Sequence, residues 1–280
     1  MSSVSPVITV IRPKNYRHIS QTLIELWSFR ELLLILVHRN ISLRFAQTSL
    51  GITWVILQPL IMTLIFTFIF GYLARFGTSK LSPYPIIVFS GLLLWQYFSR
   101  CVSEGSTALQ SYSHIIAKVY FPRVILLMVP ALAAILDVFI AFIVLLCMVL
   151  WYRLPLSIIS LIVLPLIVFW AAILAFSVSL VLASLGIRRR DIMIALPFLL
   201  QIGMYLTPVI YPVTFVPAKF QWLFYFNPMA TLIGGVRWVL LGTPHPPIIS
   251  WINVFILNAL LIFIGTRLFE RAEENMVDEL

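Results

Sequence analysis

An all-α membrane protein with six transmembrane helices is the fold class this sequence predicts, and three observations predict it. Of 280 residues, 61% are hydrophobic and only 10% charged, and the mean hydropathy is +1.05; a soluble domain carries about 45–50% apolar and about 25% charged residues. Several apolar runs reach the roughly 20 residues that cross a bilayer core of about 30 Å. The basic residues sit in short loops between those runs, so placement relative to a membrane, rather than nucleic acid, accounts for the net charge of +9. With the apolar runs set aside, no polar block is long enough to fold alone; the longest is the first 50 residues.

Residues 1–28 are polar and mixed, and they lack a long apolar core followed by a small-residue cleavage site, so no cleaved signal peptide is expected. Residues 28–50 predict an amphipathic helix. Phe29, Leu32, Leu36, Leu43 and Leu50 share one side, Glu31, His38, Ser42 and Ser49 lie opposite, and Arg30, Arg39 and Arg44 flank them. Such a helix lies flat in a headgroup layer.

The first span reads Ile52 to Leu73, with a Pro59 that a helix in lipid tolerates. The second, Ile86 to Ser103, is the weakest, containing Gln96 and ending near Arg100. The third, Val124 to Trp151, holds Asp137 well inside, and the fourth covers Ile158 to Leu185. After the charged turn Arg188, Arg189, Arg190 and Asp191, the fifth runs from Ile192 to Tyr211, and the last from Ile248 to Phe269. Between these two, Pro212 to Leu241 is apolar but is cut by Pro212, Pro217, Asn227-Pro228 and Gly234-Gly235 into pieces too short to cross. It predicts a re-entrant helical pair lining a passage, because irregular backbone at that depth survives only against protein or water. The organisation is thus an N-terminal segment 1–50, a membrane domain 51–270 and a tail 271–280. Fourteen of the lysines and arginines fall on the side of the termini and five, including Arg75, Lys80 and Arg237, on the other, which puts both termini in the cytoplasm.

The chemistry that is missing narrows the function. No GxxxxGK[ST] occurs, so the chain holds no phosphate-binding loop for ATP. The four histidines are scattered, and Cys101 and Cys147 lie in apolar segments without CxxC spacing, which predicts neither a metal site nor a disulfide framework. Paired carboxylates suited to a membrane glycosyltransferase are lacking too. Asp137 is the exception: an acid in mid-membrane costs about 2.5–3.5 kcal/mol and suits either proton coupling or ligand contact, or a neutral, hydrogen-bonded role in helix packing, which the lack of a charged partner near it in the spans favours. Aromatic residues gather at span ends as an interfacial belt; among them Trp54, Trp95, Tyr97, Tyr205 and Tyr211 are candidates for a channel wall, where flat rings stack on sugars.

Six segments in order carry a resemblance: RNISLRFAQTSLGITWVILQPL (39–60), LLLWQYFSRCVSEG (92–105), IIAKVYFPR (115–123), RRRDI (188–192), LTPVIYPVTFVP (206–217) and FNPMATLIGGVRWVLLG (226–242). Together they resemble the permease subunits of type-2 ABC exporters of polysaccharides, which export O-antigen, capsule or teichoic acid. The resemblance implies two copies forming a channel, each with a separate ATPase subunit that binds ATP and Mg on the cytoplasmic face. It implies a substrate polymer on undecaprenyl diphosphate, O-antigen foremost. The 28–50 helix then looks like an interface helix at the channel entrance, whose Arg30, Arg39 and Arg44 suit a diphosphate by charge-assisted bonds and equally suit anchoring to anionic lipid. The 105–122 loop looks like the ATPase coupling element, with Ser111, Ile115, Lys118, Tyr120 and Phe121 as its contacts. The 213–241 pieces look like a periplasmic gate, with Pro212, Pro217, Asn227, Pro228 and Arg237. Arg188, Arg190 and Asp191 mark a cytoplasmic turn. Export of a drug or small lipid within the same family, and a membrane enzyme acting on lipid-linked sugars, are the competing readings.

Overall fold

The computed structural model describes residues 26–46, 48–73, 83–116, 118–154 and 158–279. The leader before residue 26 and the loop carrying Arg75 and Lys80 lie outside the described residues. Those described are helical and contain no strand. Helix α1 spans Arg30–Phe45. Helix α2 covers Thr53–Phe66 and continues as a π-helix over Thr67–Leu73. Helix α3 is Tyr84–Ser111; α4, Val124–Ala133, and α5, Ile135–Trp151, form one span bent at Ala134. Helices α6, α7, α8 and α9 are Ile158–Arg188, Arg190–Leu206, Pro228–Leu241 and Ile248–Glu279.

Five helices among the described residues are long and apolar enough to cross a membrane. The fifth expected span, Ile192 to Tyr211, is shortened to α7, because its helix ends at Leu206 where Thr207 turns extended (ψ 143°) ahead of Pro208, the conformation a following proline enforces.

Helix α3 is the hub. It has the lowest mean hydropathy of the five, 1.3 against 2.0 to 3.0, and is the most deeply enclosed by protein. The two facts explain each other. A span surrounded by helices rather than lipid need not be apolar throughout, so Gln96, Ser99, Arg100 and Ser103 are tolerated in it. Polar glue binds α6 on two sides: the Ser179 hydroxyl reaches the Cys101 carbonyl of α3 at 3.1 Å, and Ser177 reaches Asn258 of α9 at 3.3 Å.

The apolar interior forms two cores. The larger joins α3, α5, α6 and α8; the smaller gathers Leu36 of α1, Ala108 and Leu109 of α3, Phe121, Ile125, Leu126 and Leu127 before and in α4, Leu180 of α6 and Phe269 of α9. Phe29 and Leu32 pack against the smaller core, as the helical projection predicts, but Leu43 and Leu50 are exposed. The helix closes at Phe45 and its last turn docks through Arg44 instead, an ion pair that the apolar pattern does not encode.

Of the two pieces expected between α7 and α9, only the second is a helix of the expected length. Asn227 caps α8 by accepting from the amides of Met229 (3.0 Å) and Ala230 (3.2 Å), and Pro228 opens it. Gly242, at φ 63°, closes it in the left-handed turn that glycine favours. The first piece is a chain of single turns, Val213–Phe215, Ala218–Gln221 and Trp222–Tyr225, because Pro212 and Pro217 each restart it.

Candidate functional site

Two polar arrangements stand out in this apolar molecule. The first is a cavity of about 540 Å³ between α2, α3, α5 and α7. Gln58 and Met62 of α2, Trp95, Gln96, Tyr97, Ser99, Arg100, Ser103 and Glu104 of α3, Asp137 of α5, and Gln201 and Tyr205 of α7 line it. Amides, hydroxyls and aromatic faces are what a polyhydroxylated ligand calls for, since rings stack while hydrogen-bonding groups exchange partners. Of the five candidate channel aromatics, Trp95, Tyr97 and Tyr205 meet here; Trp54 and Tyr211 are not on its wall. The Tyr97 hydroxyl donates to the Ala131 carbonyl (3.2 Å), and the Tyr211 hydroxyl donates to that of Tyr205 (3.1 Å).

One edge of this cavity carries a charged network, and it corrects the isolated reading of Asp137. Arg44 from α1 clamps the Asp137 carboxylate with both terminal nitrogens, one of them at 2.8 Å, and Arg100 from α3 donates to the same carboxylate. Arg100 also lies 3.8 Å from Glu104, which accepts from Asn40 at 3.4 Å. The partners of Asp137 stand 93 and 37 residues away in sequence, so proximity along the spans does not reveal them. The bend after Pro130 places Asp137 in the first turn of α5, where the helix dipole favours an anion. The three arginines of α1 do not converge. Arg30 is exposed and folds over Trp27, Arg39 lies over the Tyr112 ring, and only Arg44 turns inward.

The second arrangement is the corner after α7. Residues 207–211 leave the helix inside an apolar protein, and each backbone carbonyl there needs a partner. Arg237 of α8 supplies most of them: Nη1 donates to Pro208 (2.7 Å) and Tyr211 (3.1 Å), and Nη2 to Val209 (2.6 Å) and to Ile87 of α3 (2.9 Å). Tyr84 donates to the Ile210 carbonyl at 2.6 Å, and the Asn227 amide donates to the Thr207 hydroxyl at 2.9 Å. The approach of this corner to α3 is close enough that a Cβ at Gly91 would lie 2.3 Å from the Val209 carbonyl oxygen. Arg237, only 4% exposed, is therefore a staple within the protein. It does not line an open passage, and the charge that sequence counting assigns to a loop is buried. An arginine alone in an apolar segment twenty-odd residues after a Thr-Pro break is the signal in the sequence; Tyr84 and Gly91 give none.

The candidate coupling residues divide by exposure. Ser111 closes α3 and hydrogen-bonds its own helix, Phe121 is buried in the smaller core, and Ile115 packs against that core. Lys118, Val119 and Tyr120 protrude. In the charged turn, Arg188 ends α6, Arg189 is extended, Arg190 begins α7, and Asp191 is exposed. Pro212 and Pro217 begin two of the single turns, and Asn227 and Pro228 begin α8.

Five helices among the described residues are thus long and apolar enough to cross a membrane, and the half-open cavity has a mostly apolar wall that carries a cluster of polar and charged groups. Residues 31–241 match the ABC-2 type transporter family, and the chain belongs to that family. Among curated proteins it is similar to the O-antigen export system permease protein RfbA of Klebsiella pneumoniae, at 24% identity over 251 residues covering 89% of this chain and 95% of the relative. It is similar at 22% identity to the protein of the same name from Myxococcus xanthus, covering 91% and 98%. The polysialic acid transport protein KpsM of Escherichia coli aligns at 22% identity, covering 85% and 92%.

Proposed function

We propose that this chain is the permease subunit of an ATP-driven exporter that moves O-antigen, carried on undecaprenyl diphosphate, across the bacterial inner membrane. The observation that carries this is the end-to-end similarity to O-antigen export permeases from two genera. Two copies form the channel, and each binds one ATPase subunit on the cytoplasmic side. Helix α7 with the corner 207–211 completes a sixth crossing, residues 212–241 dip into the outer leaflet and return, and both termini are cytoplasmic, as the distribution of basic residues favours. Helix α1 lies at the inner headgroup layer, where exposed Arg39 is the first contact of the arriving diphosphate and Arg30 anchors to lipid.

The deciding experiment is deletion of the gene in its native strain. Undecaprenyl-linked O-antigen should accumulate on the cytoplasmic side and be lost from the surface, and the purified chain alone should hydrolyse no ATP, gaining activity only with its partner subunit. Normal surface O-antigen after deletion would sink the substrate reading, and hydrolysis by the chain alone would sink the subunit reading.

Of the coupling segment expected at 105–122, residues 105–111 are the last two turns of α3 rather than loop, so the ATPase docks on the part that follows Ser111. Val119 and Tyr120, 56% and 58% exposed, project from a base fixed by Phe121 in the smaller core. Changing both to glutamate is expected to lower ATPase copurification at least about ten-fold, equivalent to about 1.4 kcal/mol, with the melting temperature unchanged. Ile115 packs on the smaller core, so a charge there disturbs folding as well as docking and is the poorer probe. Copurification unchanged by the Val119/Tyr120 pair would place the dock elsewhere.

A further inference from the structure

We infer that Arg100 is an anion contact of the polar cavity, and that Asp137 is its built-in stand-in, released from Arg100 when a diphosphate-bearing headgroup arrives. The inference rests on the transport reading above and adds to it a site on α3 and α5.

The geometry distinguishes the two arginines. Arg100, Glu104 and Asp137 line the cavity, whereas Arg44, which clamps the same carboxylate, is not on its wall. Arg44 holds Asp137 through two nitrogens, an arrangement that is strong and directional. Arg100 holds it through one nitrogen and keeps a third of its side chain exposed. The exchangeable bond is thus the one between Arg100 and Asp137, and breaking it leaves Asp137 paired with Arg44. No buried charge is stranded, so the usual cost of opening a buried ion pair is avoided. The four charged groups Arg44, Arg100, Asp137 and Glu104 sum to zero, which lets an empty site rest at this depth. A guanidinium released into the cavity has a fork suited to phosphate oxygens. Gln96 and Ser103, one turn before and one turn after Arg100 on α3, and the adjacent Ser99 supply neutral donors near it. Since a ligand shifts an equilibrium only by its differential affinity for the two states, the carboxylate acts as a competitor, and its removal should strengthen anion binding.

The test uses the permease–ATPase complex in nanodiscs of zwitterionic phosphatidylcholine, titrated with farnesyl diphosphate and, separately, inorganic pyrophosphate. Asp137→Asn should bind both probes about ten-fold more tightly than the parent, because the competing charge is gone. Arg100→Gln should bind them about ten-fold more weakly, and Arg100→Lys should fall between. If only farnesyl diphosphate responds, the site takes a lipid headgroup; if both respond, it takes the diphosphate whatever its tail. Weaker binding in Asp137→Asn, or parent-like binding in Arg100→Gln, overturns the proposal. Should Asp137→Asn fail to fold, Arg100→Gln decides alone, since it leaves the Arg44–Asp137 clamp in place. A response to these probes in a chain whose deletion spares surface O-antigen would keep the anion site and discard the substrate reading.

Discussion

Arg237→Leu is expected to destabilise the protein by about 3–5 kcal/mol, because several buried backbone carbonyls are left without a partner at about 1–3 kcal/mol each. Three backbone carbonyls, of Pro208, Val209 and Tyr211, lose their donor at once, while that of Ile87 keeps the Ser90 hydroxyl at 3.0 Å. Membrane-inserted protein should drop to a small fraction of the parent level, and thermal unfolding in detergent, followed by tryptophan fluorescence, should shift far down. Arg237→Lys should recover only part, because one ammonium cannot span carbonyls that the guanidinium divides between two nitrogens. A leucine variant as stable as the parent would show that the corner is held by Tyr84 and Asn227 without the arginine.

Gly91→Ala is expected to cost about 3 kcal/mol, at the upper end for an added methyl in a packed core. The new Cβ would sit 2.3 Å from the Val209 oxygen and 2.9 Å from Nη2 of Arg237, so the corner must move off α3. That movement breaks the same bonds that Arg237→Leu removes. The double variant should therefore fall short of the sum of the two single losses by at least about 1 kcal/mol, the signature of residues sharing partners. Strict additivity would mean that Gly91 matters for helix packing alone and has no part in seating the corner.

Both predictions concern residues whose role depends on approach between distant segments, and this is where sequence reading stops. The all-helical class, the membrane setting, five of the six expected crossing helices in order, the proline-cut stretch after Tyr211 and the Asn227-Pro228 start of α8 are legible, because local backbone preference and hydropathy are properties of consecutive residues. The family is legible too, from six short segments in order. Three matters are decided only by the fold. The span with the weakest hydropathy proves to be the most enclosed, since burial in protein replaces burial in lipid. Arg237, countable as a loop charge, is a staple because four carbonyls from two chain segments converge on it. Asp137, alone on its span, is matched by arginines from α1 and α3. Charge pairing and carbonyl capture act through space over a few ångströms, and one apolar pattern is compatible with many sets of such contacts. The sequence therefore determines which helices form and where they sit, while the tertiary structure decides which buried polar groups find each other.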